Sequence, residues 1–320
     1  EDPATPLLET LVKAPASKAS APSRRLVSGP AETCSQKNRS LLAGARAAAG
    51  RRAVLVFCDT DHPAPRDWLR RLVRPIAAGA AAVTTGYHDV LPTDWGIASL
   101  GRAVTVLVLN LMQGIPWLIQ PWGGNTAIRR ARFVELKIAE LWATHVVDDV
   151  SLAGALRRAG ERTHRVADAQ LATPLGVQSF ALWQQWFVRQ WLYLKFCAPG
   201  TWVAGGVVLH LLAAAGIVAV LQCGLACLPS RSGFDAVVPA LFLFGAGLVA
   251  LGLRSFHPRP GPPVQWLQAC AVAVFMGSWC HVRTWGARHI DWRGFRYRTT
   301  WGGRVTGIQR TADGGNPQSG

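Results

Sequence analysis

The longest uncharged stretch of this sequence lies between Lys195 and Arg231, and it limits the folds that the chain can adopt. A helix needs roughly 20 consecutive apolar residues to cross a bilayer, and this stretch exceeds that length. We therefore predict one transmembrane helix at Thr201–Leu221 and a second at Ala236–Leu253. A third apolar segment, Val264–Trp279, is shorter, and it either crosses with a tilt or lies partly in the interface.

The overall composition also indicates a membrane protein. Of the 320 residues, 50% are hydrophobic, and the mean hydropathy of +0.18 is high for an ordinary soluble domain. The net charge is +16, but the arginines are scattered over amphipathic helices and flank apolar segments. We therefore expect anionic lipid, and no nucleic acid, as a partner. The cysteines lie mostly in apolar runs without paired Cys-x-x-Cys motifs, which excludes a disulfide frame or zinc site.

An apolar run at residues 53–58 ends in two carboxylates, Asp59 and Asp61. The run is typical of a strand buried on both faces of a parallel sheet, and a helix at 66–75 and a strand at 81–85 follow it. This alternation predicts βαβ units, whose strands bind ligands at their carboxyl ends. The two carboxylates either share a divalent ion, Mg²⁺ or Mn²⁺, or form a turn that caps the next helix.

Three later segments carry further candidate residues. Gly123 and Gly124 either allow the backbone to approach a bulky ligand or form a plain turn. Asp148 and Asp149 open a predicted helix, whose dipole favours a carboxylate there as a cap or as an ionised general base. The Trp-, Gln- and Arg-rich helix at Trp183–Trp191 precedes the first span and is typical of a membrane interface.

The location of the basic, aromatic segment Asp291–Arg298 depends on how many apolar segments cross the membrane. Its arginines are typical of a juxtamembrane tail, and they could equally bind a diphosphate. Three spans after a cytosolic domain would place this segment on the far side, against the positive-inside tendency. Either Val264–Trp279 does not cross, or the tail acts on the other face.

An apolar segment at 98–120 is interpreted as lying on the bilayer or under the active site.

These motifs occur in an order that resembles ceramide glucosyltransferases, which are membrane-bound, inverting family 2 glycosyltransferases. The similarity runs from the first residues to about Trp301 as short islands. The islands are Glu1-Asp2-Pro3-Ala4, Cys34-Ser35-Gln36-Lys37-Asn38, Asp59-Thr60-Asp61, Gly123-Gly124-Asn125, Asp148-Asp149, the Gln/Trp/Arg helix, the apolar spans and Asp291–Arg298.

The resemblance implies an α/β fold, with a nucleotide-sugar-binding, Rossmann-like (GT-A) domain that has a parallel-rich sheet and is followed by C-terminal transmembrane helices. It divides the chain into a glycosyltransferase domain at 1–175, an interfacial helix at 176–196, a transmembrane region at 197–283, a basic aromatic tail at 284–308 and a disordered end at 309–320. Because the family places an anchor, a strand and a helix before the first aspartate motif, we expect the first domain to be N-terminally incomplete.

The implied reaction moves glucose from UDP-glucose to the primary hydroxyl of ceramide or a similar membrane lipid, on the cytosolic face of an integral membrane protein. Asp149 then resembles the catalytic base, and Asp59 and Asp61 resemble the residues that bind the diphosphate and the metal, Mg²⁺ or Mn²⁺. The nucleotide-sugar site would further include Asp2, Gly123, Gly124, Asp148, Arg189, Gln190 and Trp191.

One motif of the family is imperfect here. In the Gln/Arg-x-x-Arg-Trp motif Arg189 matches, whereas Trp186 and Gln190 take the flanking positions and a tryptophan is displaced to Trp191. Two alternatives therefore stay open: a glycosyltransferase for another lipid or polysaccharide acceptor, and a catalytically inactive membrane scaffold.

Overall fold

The computed structural model describes residues 24–48, 53–227 and 236–311. In chain order the elements are α1 (Gln36–Ala47), β1 (Val54–Cys58), α2 (Trp68–Ala77), β2 (Val83–Thr85), β3 (His88–Pro92), α3 (Ile97–Met112), β4 (Asn125–Arg129), α4 (Arg130–Glu135), α5 (Ile138–Trp142), α6 (Asp148–Arg158), β5 (Thr163–Arg165), β6 (Leu171–Leu175), α7 (Phe180–Cys197), α8 (Pro199–Ala226), α9 (Val237–Arg254), α10 (Pro263–Arg283), β7 (His289–Trp292), β8 (Phe295–Thr299) and β9 (Val305–Arg310). Asp2 and residues 312–320 lie outside the described ranges.

A mixed four-stranded sheet in the order β1-β4-β2-β5 forms the centre of the N-terminal part. The α/β class is confirmed, but the sheet is not parallel-rich. β4 lies antiparallel between β1 and β2, and β2 is parallel to β5. β4 suits this central place because Asn125–Ile128 are buried, with Ala127 and Ile128 fully enclosed. A separate pair, β3 and β6, is parallel.

The strand that carries the first candidate carboxylates is covered on both faces, as predicted. Leu55 and Phe57 of β1 pack into a cluster with Trp142, while Val54 and Val56 face α2. Alternation of side chains along a strand produces this division. The predicted helix 66–75 and strand 81–85 correspond to α2 and β2, with boundaries shifted by about two residues.

Two helices, α8 and α9, are long and apolar enough to cross a membrane by length and composition. α8 contains the predicted segment Thr201–Leu221. α9 contains the predicted segment Ala236–Leu253 except for its first residue, Ala236. The third segment, α10, packs lengthwise against α3 through a cluster that includes Leu100, Val104 and Trp266. The segment predicted at 98–120 therefore has one face buried against α10.

The segments on both sides of α10 are hydrogen-bonded to elements that precede α8 in the chain. Shortly before α10, His257 Nε2 lies 2.9 Å from the Val90 carbonyl of β3. After α10, the carbonyls of Thr284, Trp285 and Ala287 accept hydrogen bonds from Lys195 Nζ at 2.6, 2.8 and 2.9 Å. The two ends of α10 therefore lie close to elements that precede α8, which are β3 in one case and the end of α7 in the other.

The segment predicted as a basic tail folds into an antiparallel sheet of β7, β8 and β9. Ile290 and Tyr297 are buried against Val147, Leu192 and Phe196, and the half-buried Arg296 and the exposed Arg298 flank Tyr297 along β8. Charged residues at every second position are the pattern of a half-buried strand, which explains why this segment is ordered. Gln309 and Arg310, predicted to be disordered, belong to β9.

Candidate active site

Three elements bring two carboxylates and a lysine to one place. Asp59 follows β1, Asp148 opens α6 as predicted, and Lys37 lies in the first turn of α1. Lys37 Nζ is 3.0 Å from Asp59 Oδ1 and 3.2 Å from Asp148 Oδ2. The ammonium group therefore joins the end of β1 to the start of α6.

The short motif around Lys37 fixes its position. Ser35 caps α1 by accepting a hydrogen bond from the Asn38 backbone at 3.2 Å. The buried Asn38 side chain donates to the carbonyls of Trp142 and His145 at 3.3 and 2.8 Å. Because these carbonyls belong to the segment that leads into Asp148, the motif holds Lys37 against that aspartate.

The electrostatics of Lys37 are dominated by its acidic neighbours. Burial alone lowers the pKa of its ammonium group, but the Asp148 and Asp59 carboxylates outweigh burial and raise that pKa above its ordinary value. Lys37 is therefore a permanent cation over the whole range in which proteins function.

Asp149 occupies a different environment from its neighbours. Its Oδ2 accepts a hydrogen bond from the Gly123 backbone at 3.2 Å, and its Oδ1 accepts one from Val150 at 2.7 Å. Burial, and then the charge of Asp148, raise the pKa of Asp149 from 3.8 to about 6 despite the opposing effect of Lys37. Asp149 lines a small cleft with Phe57, Pro121, Gly123, Thr126 and Leu152. A carboxyl group that titrates near neutrality beside a cleft suits proton transfer.

Gly123 makes this arrangement possible, because a side chain at that position has no space. A Cβ there would overlap Asp148 Oδ2 and lie 2.9 Å from Lys37 Nζ. We expect Gly123→Ala to reduce the unfolding free energy by about 1–3 kcal/mol, as overpacking does, and to displace the carboxylates. Thermal unfolding in detergent and the rate of product formation would measure both effects. Gly176→Ala is the matched control, because a Cβ at Gly176 meets no atom within 4 Å.

A candidate metal site lies at the end of β1. Asp59, Asp61 and His62 each offer a ligand atom, and these atoms lie within 4.8 Å of one another. His62 Nδ1 is 2.8 Å from Thr173 Oγ1, which orients its Nε2 towards Asp61 Oδ1 at 3.3 Å. An outer contact of this kind is typical of histidines that ligate metals. The predicted pair is thus extended by His62, which directly follows the Asp-x-Asp motif in the sequence.

Aromatic rings form a wall beside the candidate metal site. His88 stacks on Trp122 with ring centroids 4.2 Å apart and an interplanar angle of 2°, and His62 lies 5.1 Å from the same indole. Burial lowers the pKa of His88 to about 3, so its ring is neutral at physiological pH. The wall therefore presents flat, uncharged surfaces next to charged groups.

The other predicted site residues divide into two groups. Gly124 belongs to the site, since its carbonyl accepts a hydrogen bond from the Asp59 backbone at 3.4 Å. Arg189 and Gln190 are half-buried on α7. Burial raises the pKa of Tyr193 on the same helix, the charge of Arg189 opposes that rise, and the charge of Asp149 adds to it. Trp191 is not brought to the carboxylates, because it is buried against Phe187 and His281 of α10.

The sequence patterns did not identify Lys37, His62 and Tyr193 as residues of the candidate active site. Lys37 stood inside a motif that carried the family resemblance, so its presence there was a usable signal. Tyr193 had no signal of its own, because an aromatic residue on an interfacial helix is ordinary.

Comparison with known families gives a match over most of the chain. The family model described as glycosyl transferase family 21 matches residues 1–305. The match spans every candidate site residue and all the described helices and sheets except the last strand, β9, which it reaches only at its first residue. A search of curated proteins finds no match.

Proposed function

The chain belongs to glycosyltransferase family 21, and we propose that it moves glucose from UDP-glucose to the primary hydroxyl of ceramide or a similar membrane lipid, with inversion at the anomeric carbon. The observation that carries this proposal is Asp149, whose pKa is raised to about 6 beside a cleft and a candidate metal site. A base that titrates near the operating pH is effective at removing the proton of an attacking hydroxyl.

Each charged group has a proposed task. Asp149 accepts the proton of the acceptor hydroxyl, and Lys37 holds Asp148 and Asp59 in fixed positions around it. Asp59, Asp61 and His62 would hold Mg²⁺ or Mn²⁺, and a bound divalent ion supplies positive charge for the leaving diphosphate. The nitrogen of His62 favours Mn²⁺, because Mg²⁺ takes almost exclusively oxygen ligands.

In this proposal, the protein is an integral membrane enzyme with its catalytic domain on the cytosolic face. We propose that α8 and α9 cross the bilayer and that α10 lies in the interface. The contacts of His257 before α10 and of Lys195 after it support this topology, since both ends of α10 lie close to elements that precede α8 in the chain. Two crossings return the chain to its starting side, so the arginine-rich sheet β7–β9 agrees with the positive-inside tendency.

This topology predicts the accessibility of two tags. We expect an epitope placed after residue 311 to be cleaved by protease added on the catalytic side of sealed vesicles. An epitope placed in the segment 228–235, between α8 and α9, is expected to be protected until the vesicles are permeabilised. Protection of the C-terminal epitope in sealed vesicles would instead indicate three crossings.

The reaction itself is tested by measuring UDP release together with the mass of the lipid product. Ceramide, diacylglycerol, a sterol and a hopanoid are supplied separately with UDP-glucose, with and without Mn²⁺. We expect metal-dependent UDP release and a product heavier than ceramide by one hexose. A hexose on another lipid would assign a different acceptor. The absence of UDP release with every acceptor would favour the inactive scaffold.

A further inference from the structure

The turn between β8 and β9 lies where the chain enters α8. The Gly302 backbone donates a hydrogen bond to the Phe196 carbonyl at 2.6 Å, and Gly303 packs closely on Cys197. α8, the first proposed span, begins at Pro199. Trp301, at the tip of this turn, is 65% exposed and lies 6.3 Å from the Phe196 ring. A solvent-exposed tryptophan next to the start of a membrane-spanning helix is typical of the lipid headgroup layer.

Two exposed arginines flank this tryptophan. Arg298 precedes the turn and Arg304 follows it, and the Arg304 carbonyl accepts a hydrogen bond from Thr300 that closes the turn at 2.9 Å. The segment 284–311 has six arginines and a single acidic residue, Asp291. That acid is engaged by Arg296 at 2.8 Å, so it does not neutralise the tip.

We propose that the β8–β9 turn, through Arg298, Trp301 and Arg304, binds the phosphate headgroups of anionic phospholipids in the leaflet beneath the catalytic domain. The exposed indole enters the headgroup layer, and the two guanidinium groups donate hydrogen bonds to phosphate oxygens, for which their planar arrangement of N–H groups is well suited. The charge of the turn, its exposed aromatic ring and its continuity with α8 all point to a membrane surface.

The same turn is hydrogen-bonded to the segment that carries the acidic pair. The Val146 backbone donates to the Gly303 carbonyl at 3.0 Å, and Val305 donates to the Thr144 carbonyl at 2.8 Å. Asp148 follows Val146 by two residues, so a lipid-anchored turn holds the acidic pair at the bilayer surface, where a lipid hydroxyl arrives. The lipid contact rests on the proposed membrane topology, and this consequence rests in addition on the proposed reaction.

The contact can be measured without any enzyme activity. The protein is reconstituted in phosphatidylcholine nanodiscs that contain either brominated phosphatidylglycerol or brominated phosphatidylcholine, because bromine quenches nearby tryptophans. The emission of Trp301 is the difference between the protein and its Trp301→Phe variant. We expect stronger quenching by the brominated phosphatidylglycerol. Each arginine near an anionic surface contributes about fivefold to this preference, so Arg298→Gln with Arg304→Gln should lower it roughly 25-fold.

A matched control is available on the same sheet. Arg293→Gln with Arg310→Gln removes the same charge at the opposite end, where Arg310 pairs with Phe295 next to the β7–β8 turn. This control pair should keep the preference for phosphatidylglycerol. Equal quenching by the two brominated lipids in the unmodified protein, or loss of the preference in the control pair, would overturn the proposal. The same holds if the Arg298/Arg304 variant keeps its preference and instead binds UDP more weakly.

Discussion

Replacing Asp149 with asparagine is expected to lower turnover about 10²- to 10⁴-fold, which is the usual loss when a general base is removed. Asparagine has the same shape, and its oxygen can still accept the hydrogen bond from Gly123 or Val150, so the fold and UDP binding should be retained. Single-turnover rates with ceramide and UDP-glucose would measure the loss, and equilibrium UDP binding would serve as the internal check. Near-normal turnover in this variant would remove Asp149 from the mechanism.

The pH dependence provides an independent test of the same group. Since burial raises the pKa of Asp149 to about 6, the rate should fall as the pH decreases through that value and the base becomes protonated. The acid limb should disappear in Asp149→Asn. The sign for stability is opposite, because a raised carboxyl pKa means that the folded state favours the protonated form. Asp149 therefore lowers the stability of the fold as pH rises from 3.8 through about 6, and the asparagine variant should be at least as stable at pH 7.

Asp89→Asn is a suitable control for Asp149→Asn. Burial also raises the pKa of Asp89, but the neighbours that oppose this rise are His257 and Asn110 and not Lys37. Asp89→Asn also replaces a partly buried carboxyl group with an amide, so we expect its turnover to lie within a few-fold of that of the unmodified protein. A comparable loss in both variants would indicate a general sensitivity to carboxylates and would contradict a specific role for Asp149.

Local sequence patterns predicted those helices and strands whose positions depend on nearby residues. The β1 run, the start of α6 at Asp148 and the two apolar helices α8 and α9 all follow from periodicity, charge and length. β4 could not be placed in this way, because its four buried residues show no alternation and its partners, β1 and β2, are distant in sequence. Strand order depends on such non-local pairing, and a βαβ pattern alone does not exclude an inserted antiparallel strand.

The candidate site shows the same division. Asp59, Asp61, Asp148 and Asp149 were identified from their positions at the ends of predicted elements, and they converge. Their partners could not be identified, since the contact between Lys37 and Asp148 joins residues that are far apart in the chain. The basic segment was misjudged for a different reason: Tyr297 packs against α7 and against the Gln36 backbone at 3.4 Å, and these contacts convert a cationic tail into a sheet.

Lys37 is the second position where a single change should have a large effect. Lys37→Met removes the cation that separates Asp59 from Asp148 and leaves a cluster of carboxylates without compensation. Loss of one partner from a fully buried ion pair costs roughly 3–5 kcal/mol. Since the Lys37 and Asp59 side chains are 21% and 34% exposed, we expect a smaller loss, about 2–3 kcal/mol of unfolding free energy. Urea unfolding in detergent would measure it.

The pH profile distinguishes an electrostatic role of Lys37 from a purely structural one. Lys37 opposes the rise in the pKa of Asp149, so its removal should move the acid limb of the rate to a pH above about 6. Lys37→Arg keeps the charge and should leave the limb near its original position. A profile that is unchanged in Lys37→Met would show that the ammonium group does not act on the base.

A double variant isolates the contact with Asp148. In Lys37→Met combined with Asp148→Asn, the buried carboxylate that has lost its partner is also neutralised, so the double variant should be more stable than Lys37→Met alone. Asp148→Asn alone should lower the pKa of Asp149, because the Asp148 charge raises it. Additive effects of the two substitutions on stability would mean that the 3.2 Å contact contributes nothing. Coupling of the expected sign would instead show that Lys37 and Asp148 act as one unit that places Asp149 beside its cleft.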